Sequence, residues 1–300
     1  MTVLVTGATG TVGSSVVSGL LDRGTGVRAL VRDAQRARAV LDPTVEIVVL
    51  PSTTGTPDAA PHALHAALED VDAVFLACGN TPGQVPFERA VVRAAGAGGA
   101  GRLVKLSGPD PRPDSPVLVE RWHAAIERTL ALADLRWAVL RPCTFMTNLL
   151  WLAGAVASSG VLPVPAAGAR VAFVDPYDVA AVAVELLVRE ELPDGEVHPV
   201  TGPAAVSYAE VAAALSAATG TDVTYVPVSE DQARAHLLGT GMDPGLVELV
   251  LAVYARQRDG ALAGVSSTVR DVTGREPRGI SSFTQDHRDA FRAPLSAGLP

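Results

Sequence analysis

Short apolar runs alternate with segments of helical period along the first 140 residues. VLVTG (3–7), VRALVR (27–32), VEIVVL (45–50), DAVFLA (72–77), RLVKLS (102–107) and RWAVLR (136–141) are short runs with apolar centres. Helical patterns fall between them at 12–23, 35–41, 59–69, 85–95 and 117–133. Continuous apolar strands separated by helices predict a parallel sheet covered on both faces. Right-handed crossovers then make it doubly wound. The expected class is α/β, with a smaller C-terminal substrate-binding cap.

Beyond Arg141 the texture changes. Residues 142–169 are apolar and loop-rich, VAFVDPYDVAAVAVELLV (171–188) gives a strand and a helix, and HPVTGPAAVSYAEVAAALSAATG (198–220) another pair. TDVTYVPV (221–228) reads as a short strand and the remainder as mainly helical. The expected division is a core over 1–147, to which about 170–202 add, and a smaller region from 148–169 and 203–300. Such a cap makes a cleft at the C-terminal strand ends, where open α/β sheets bind ligands.

TGATGTVG (Thr6–Gly13) follows the first strand and opens the first helix, with Gly7, Gly10 and Gly13 spaced by three. A glycine triplet alone is weak, but strand–turn–helix context turns it into a dinucleotide-binding expectation. Gly7 permits the tight turn, Gly10 lets N–H groups approach a pyrophosphate, and Gly13 lets helix and sheet pack closely. At the end of the second strand an acid would hold the ribose of NAD, whereas arginine suits the 2′-phosphate of NADP. Here Arg32 precedes Asp33, with Arg36 and Arg38 following. NADP(H) is the expected cofactor, with NAD(H) the alternative, and Asp33 is read as a helix cap.

Charge and cysteine content narrow the partners. The net charge is −8 without a like-charge block, which excludes nucleic acid and anionic membrane as expected partners. The longest apolar stretch, Leu149–Ala157, is half a bilayer span. Cys78 and Cys143 lack metal or redox spacing, and a strand-like start at Thr2 leaves no room for a leader, so a reduced cytoplasmic setting is expected. Of 24 basic residues only Lys105 is lysine, a bias read as codon composition.

TGATGTVG, VRALVRD, DAVFLACGN, VKLSG, LRPCTFMTN, FVDPYDVA and VTGP…SYAEVAAAL resemble, in that order, the atypical short-chain dehydrogenases of the NmrA-like group, over about residues 2–291. The resemblance implies a Rossmann fold and a nicotinamide cofactor held by Gly7, Thr9, Gly10, Thr11, Val12, Gly13 and Arg32. It further implies Ala77, Cys78, Gly79 and Asn80 on the adenine side, and Pro142, Thr144 and Phe145 by the nicotinamide. Where the group usually has Gly-Asp after the third strand, this chain reads LPSTTGTPD (50–58).

In the wider dehydrogenase family a Ser, a Tyr and a Lys four residues later reduce carbonyls. Ser107 matches the Ser. No Tyr-x-x-x-Lys exists: positions four after Tyr177, Tyr208, Tyr225 and Tyr254 hold Ala181, Ala212, Ser229 and Arg258. The corresponding helix carries VERWHAAIER (119–128), with His123 and Glu127 in those places. Positioned acid–base catalysis is worth about 10²–10⁴-fold in rate. Three replacements stand open. His123 could donate, its pKa raised by Glu127 one turn on; Ser107 or Thr144 could hydrogen-bond a developing oxyanion; or the substrate could bring its own donor, such as a neighbouring phenol. His123 and Ser107 are the catalytic candidates, and a structural histidine is the alternative for the first.

Lys105 is read as structural, on the opposite strand face or at an edge. Asp175 and Asp178 resemble helix capping around Pro176. His62 and His65 lack a third metal ligand, so no metal is expected, and Cys143 lacks a His/Asn constellation. Phe145, Met146, Leu149, Leu150 and Trp151 are either core or pocket wall. Cys143–Gly168 contains no charge, which suits a flat, apolar aromatic substrate. The resemblance therefore implies an NADPH-dependent reductase of a bulky polycyclic ketone or quinone, with angucyclinone-type ketoreduction in aromatic polyketide tailoring as the specific expectation. The alternative is a non-catalytic NADP-binding sensor of a partner protein.

Overall fold

A computed structural model describes residues 1–50, 61–192 and 195–292. The chain divides into two compact units. The first comprises Met1–Pro142, Pro176–Val200 and Thr268–Arg275, the second Cys143–Asp175, Thr201–Ser267 and Glu276–Pro300.

The first unit opens as five strand–helix pairs and a sixth strand: β1 (Thr2–Thr6), α1 (Thr11–Leu21), β2 (Gly26–Val31), α2 (Ala34–Val40), β3 (Glu46–Val49), α3 (Pro61–Leu68), β4 (Ala73–Leu76), α4 (Gln84–Gly98), β5 (Arg102–Leu106), α5 (Leu118–Leu130) and β6 (Arg136–Pro142). The sheet order is β3-β2-β1-β4-β5-β6, closed by Glu196–Val200, with every pairing parallel. The central strands β1, β4, β5 and β6 are mainly buried because both faces are covered, whereas the edge strands β3 and Glu196–Val200 are partly exposed. On one side Leu4, Leu76, Leu103 and Val139 pack with Leu64, Leu68, Val91 and Leu130. Against the other, α1 meets the helix Pro176–Val188, where Gly19 lies against Val184.

Between β1 and β4 the strand order reverses, and that switch point is where an open α/β sheet leaves a crevice at its C-terminal edge. Thr6 fixes it. Its fully buried Oγ1 donates to the Ala77 carbonyl at 2.7 Å and accepts from the Ala77 N–H at 2.8 Å, so the two strand ends are held level.

The second unit has its own core of Met146, Leu149, Leu162, Phe173, Tyr208 and Phe283, among others. The Tyr208 hydroxyl donates to Gln257 Oε1 at 3.0 Å, and Phe173 meets its ring edge-on at 5.7 Å. A 3₁₀ helix spans Met146–Leu152. Thr224–Pro227 pairs in parallel with Val161–Val164, a strand inside the stretch expected to be loop. The strand expected from 171 runs only over Arg170–Val171, because Ala172 and Val174 turn to different partners, the Leu262 and Thr144 carbonyls. Among the described residues no helix is long and apolar enough to cross a membrane.

Candidate functional site

The turn between β1 and α1 is built by its glycines. Gly7 sits at φ +62°, and a methyl there would come within 3.0 Å of the Ala77 carbonyl oxygen. The Gly10 N–H closes the turn on the Gly7 carbonyl at 2.9 Å. A methyl on Gly13 would stand 2.1 Å from that same carbonyl, so only glycine lets the helix begin so close to the turn. Gly10 caps α1 without any side-chain acceptor. The first-turn N–H groups, at Thr11, Val12 and Gly13, are thereby left for an outside anion, reinforced by the helix dipole. Thr9 is half-buried beside them, and Ala77–Asn80 continue β4 into the same crevice, with Gly79 and Asn80 exposed. These residues fit a pyrophosphate-bearing cofactor.

Asp33 caps α2, accepting the Arg36 N–H at 3.0 Å. That leaves Arg32 at the end of β2 as the exposed charged group, and among the described residues it makes no ion pair. Cys78 is half-buried; burial, and then the Glu88 charge, push its thiol up to about 11. It is no nucleophile at neutral pH.

Beneath this edge lies a polar cluster in an otherwise apolar interior. Lys105 and Glu88 are fully buried and form an ion pair, from β5 and α4 respectively. The Lys105 ammonium also donates to the Leu106 carbonyl at 3.1 Å and lies 3.3 Å from His123 Nδ1. Gln84, one turn before Glu88, donates to its Oε1 at 3.0 Å and lies 3.5 Å from the same imidazole nitrogen. Lys105 therefore points into the unit among buried polar neighbours, not to an edge. Burial first, then the Lys105 charge, hold His123 well below the ordinary imidazole value. The expected rise from Glu127 does not occur, because that carboxylate is spent elsewhere.

It is spent on Ser107 and Arg141. The Ser107 hydroxyl donates to Glu127 Oε1 at 2.5 Å, and Arg141 Nη2 donates to Glu127 Oε2 at 2.6 Å. Ser107 follows β5, with its N–H on the Leu140 carbonyl at 2.8 Å. Its one hydroxyl proton is committed to a carboxylate, so in this geometry it offers lone pairs rather than a donor. Sequence reasoning singled out Ser107, His123 and Glu127 but missed Gln84, Glu88 and Arg141.

A neutral buried histidine ties stability to pH. The unfolded imidazole titrates near about 6.5 while the folded one resists the proton, so the unfolded chain binds more protons as pH falls below that value. Stability is complete above it and declines below it, by up to about 1.4 kcal/mol per pH unit. Urea unfolding at stepped pH should show this decline, and His123→Gln should flatten it. An equal slope in the variant would assign the effect to other groups.

The remaining candidates are placed as follows. Pro142 ends β6. Thr144 and Phe145 belong to the second unit, where the Val174 N–H donates to the Thr144 carbonyl at 3.0 Å and Phe145 bridges Val174. Met146 and Leu149 are core there, Phe145 and Leu150 are half-buried, and Trp151 is exposed. Cys143 is buried, its thiol on the Leu262 carbonyl and pushed up to about 11 by burial. Asp175 accepts from Arg278 Nε at 2.8 Å, and Asp178 lies in the first turn of the helix that begins at Pro176. His65 is exposed; the side chain of His62 and the stretch 51–58 lie outside the described residues. Among the described residues no cluster of three His, Cys, Asp or Glu could hold a metal.

The sequence and the fold are both matched by known proteins. The NmrA-like family profile matches residues 1–261. The chain belongs to the NmrA-like family. It is 38% identical over 291 residues to an NAD(P)H azoreductase of Xenophilus azovorans, spanning 97% of this chain and 99% of that one. It is also 38% identical to a (4-alkanoyl-5-oxo-2,5-dihydrofuran-3-yl)methyl phosphate reductase of Streptomyces griseus, over 96% of this chain and 99% of the other. Among solved structures, an NADPH-dependent quinone oxidoreductase of Escherichia coli complexed with NADPH superposes with a TM-score of 0.84. It is 25% identical, and the match covers 95% of this chain and 99% of that one. In this NmrA-like chain the glycine turn sits at the N-terminal end of the matched region, and Ser107, His123 and Glu127 lie within it.

Proposed function

We propose that the chain is an NADPH-dependent reductase of bulky, apolar, electron-poor compounds: quinones, azo-aromatics, and polycyclic ketones that carry their own phenol. The support for an enzyme over a sensor is the 38% identity, nearly end to end, with two proteins named as reductases. Bound NADPH would supply hydride, with its phosphates on the α1 N-terminus and its 2′-phosphate at Arg32.

One observation supports this acceptor class. Neither Ser107 nor His123 holds a proton ready for transfer: the first has its proton on Glu127, and the second is a neutral imidazole. A plain ketone would become an alkoxide, which needs a positioned acid. A quinone becomes a phenolate, with a conjugate acid near about 10, and water meets its demand. A ketone beside a phenol is protonated from within, which keeps aromatic polyketide tailoring inside this class. The uncharged stretch Cys143–Gly168 suits such apolar substrates.

Steady-state NADPH oxidation across a panel tests this. A naphthoquinone should turn over about 10²-fold faster than an aryl ketone without a phenol, the magnitude a missing general acid removes. A plain ketone that matches the quinone would overturn the acceptor class. Arg32→Ala should raise KM for NADPH about tenfold, the loss of one charge-assisted contact, and leave KM for NADH unchanged. Equal effects on both would place the 2′-phosphate elsewhere.

A further inference from the structure

The buried cluster under β5 has a precise hydrogen-bond count. The Lys105 ammonium has three protons and faces three acceptors: Glu88, the Leu106 carbonyl and His123 Nδ1. An ammonium cannot accept a hydrogen bond, so Nδ1 must accept. Gln84 points the same way. Its amide nitrogen is the group facing Nδ1, since the reverse orientation would set its oxygen against Glu88 Oε1. With two donors on Nδ1, the ring proton resides on Nε2. That Nε2–H finds no acceptor among the described residues. The Cδ2–Nε2 edge lies against Gly108, just past the C-terminal end of β5, where a methyl would stand 3.0 Å from Cδ2 and 3.7 Å from Nε2. Open α/β sheets bind ligands at that edge.

We infer that Lys105, anchored by Glu88, is a positioning residue that fixes His123 in the tautomer with its proton on Nε2, presenting a hydrogen-bond donor at the C-terminal edge of the sheet. Resting on the reductase reading, the use of that donor is to stabilise negative charge as it gathers on the acceptor, without giving the proton up. The groups around the ring agree with a fixed state. Lys105 faces it from β5 and Glu88 and Gln84 from α4; Glu127 on α5 is engaged by Ser107 and Arg141, and the Cys78 thiol after β4 is un-ionised. A ring beside an ammonium does not take a second charge.

The test is long-range ¹⁵N–¹H correlation of the histidine rings in the full chain, assigned with a His123→Phe variant. His123 should show an unprotonated Nδ1 and a protonated Nε2, unchanged between about pH 5 and 8. In Lys105→Met the ring faces Glu88 without its cation, and His123 should begin to titrate in that range. A wild-type ring protonated on Nδ1, or one that titrates, overturns the inference, as does a folded Lys105→Met that keeps the wild-type pattern. Should Lys105→Met fail to fold, Gln84→Leu decides. It removes the other donor, so an unchanged tautomer supports Lys105, and a switch to Nδ1–H overturns it. The spectra are taken without substrate and stand apart from any failure to find one.

Discussion

Gly13→Val is expected to abolish dinucleotide binding and to weaken the fold at the same time. The first side-chain carbon would sit 2.1 Å from the Gly7 carbonyl oxygen, 2.7 Å from its carbon and 3.1 Å from Ala8 Cα. All three are backbone atoms, so no rotamer change relieves the overlap. Either the turn moves off the sheet or α1 moves off the turn, and both displace the first-turn N–H groups. Binding of NADPH, followed by calorimetry or quenching, should weaken by a hundredfold or more, about 3 kcal/mol. Gly10→Val separates the two consequences. Its first carbon would meet the Gly7 oxygen at 3.3 Å, tight but tolerable, and would occupy the space a pyrophosphate needs. Thermal stability should stay close to wild type while binding is lost. A Gly10→Val protein that binds NADPH normally would sink the phosphate assignment of this turn, whatever happens at Gly13.

The core of the first unit was legible because its strands are dominated by apolar residues, a signal that survives without tertiary context. Expected and observed strand bounds differ by at most one residue from β1 to β6. The Val161–Val164 strand was missed because GVLPVPAAG carries two prolines and no flanking turn contrast, and its partner lies some sixty residues on. The site was legible only in part. The glycine turn is local, so its spacing shows in the sequence. The partners of Lys105 are not local: Gln84 and Glu88 sit one turn apart on a helix whose sequence, QVPFERAVV, reads as ordinary surface amphipathicity. One signal did exist. A chain that uses arginine almost everywhere keeps its single lysine on an apolar strand. Codon bias explains the arginines but not the exception. A compact ammonium makes three bonds in a small sealed space, which a planar guanidinium cannot do. The reading of Glu127 as the partner of His123 failed for a related reason: helical spacing puts the two on one face, but Arg141 on β6 offers that carboxylate a bidentate cation.

Glu88→Leu should destabilise the fold by about 3–5 kcal/mol, the cost of leaving one member of a buried pair without the other. Glu88 and Lys105 have no exposed surface, so water cannot take the place of the lost carboxylate. Gln84 loses its acceptor as well, and its own Oε1 is already sealed without a partner. Against a total stability of about 5–15 kcal/mol for a domain, such a loss is large. Adding Lys105→Met removes the stranded charge and fills the space with apolar atoms of similar length, so the double variant should recover most of the deficit. Urea midpoints of the single variants and the double variant complete the cycle. Recovery in the double variant would mean that the pair does not earn its place through stability, since an apolar replacement serves the fold as well. The retained charge would then have to be explained by what it does to its neighbours, and the neighbour it touches outside the pair and the backbone is His123. If the double variant instead stays as unstable as Glu88→Leu, the pair is a structural requirement of this unit, and the orientation of the imidazole is a by-product of it.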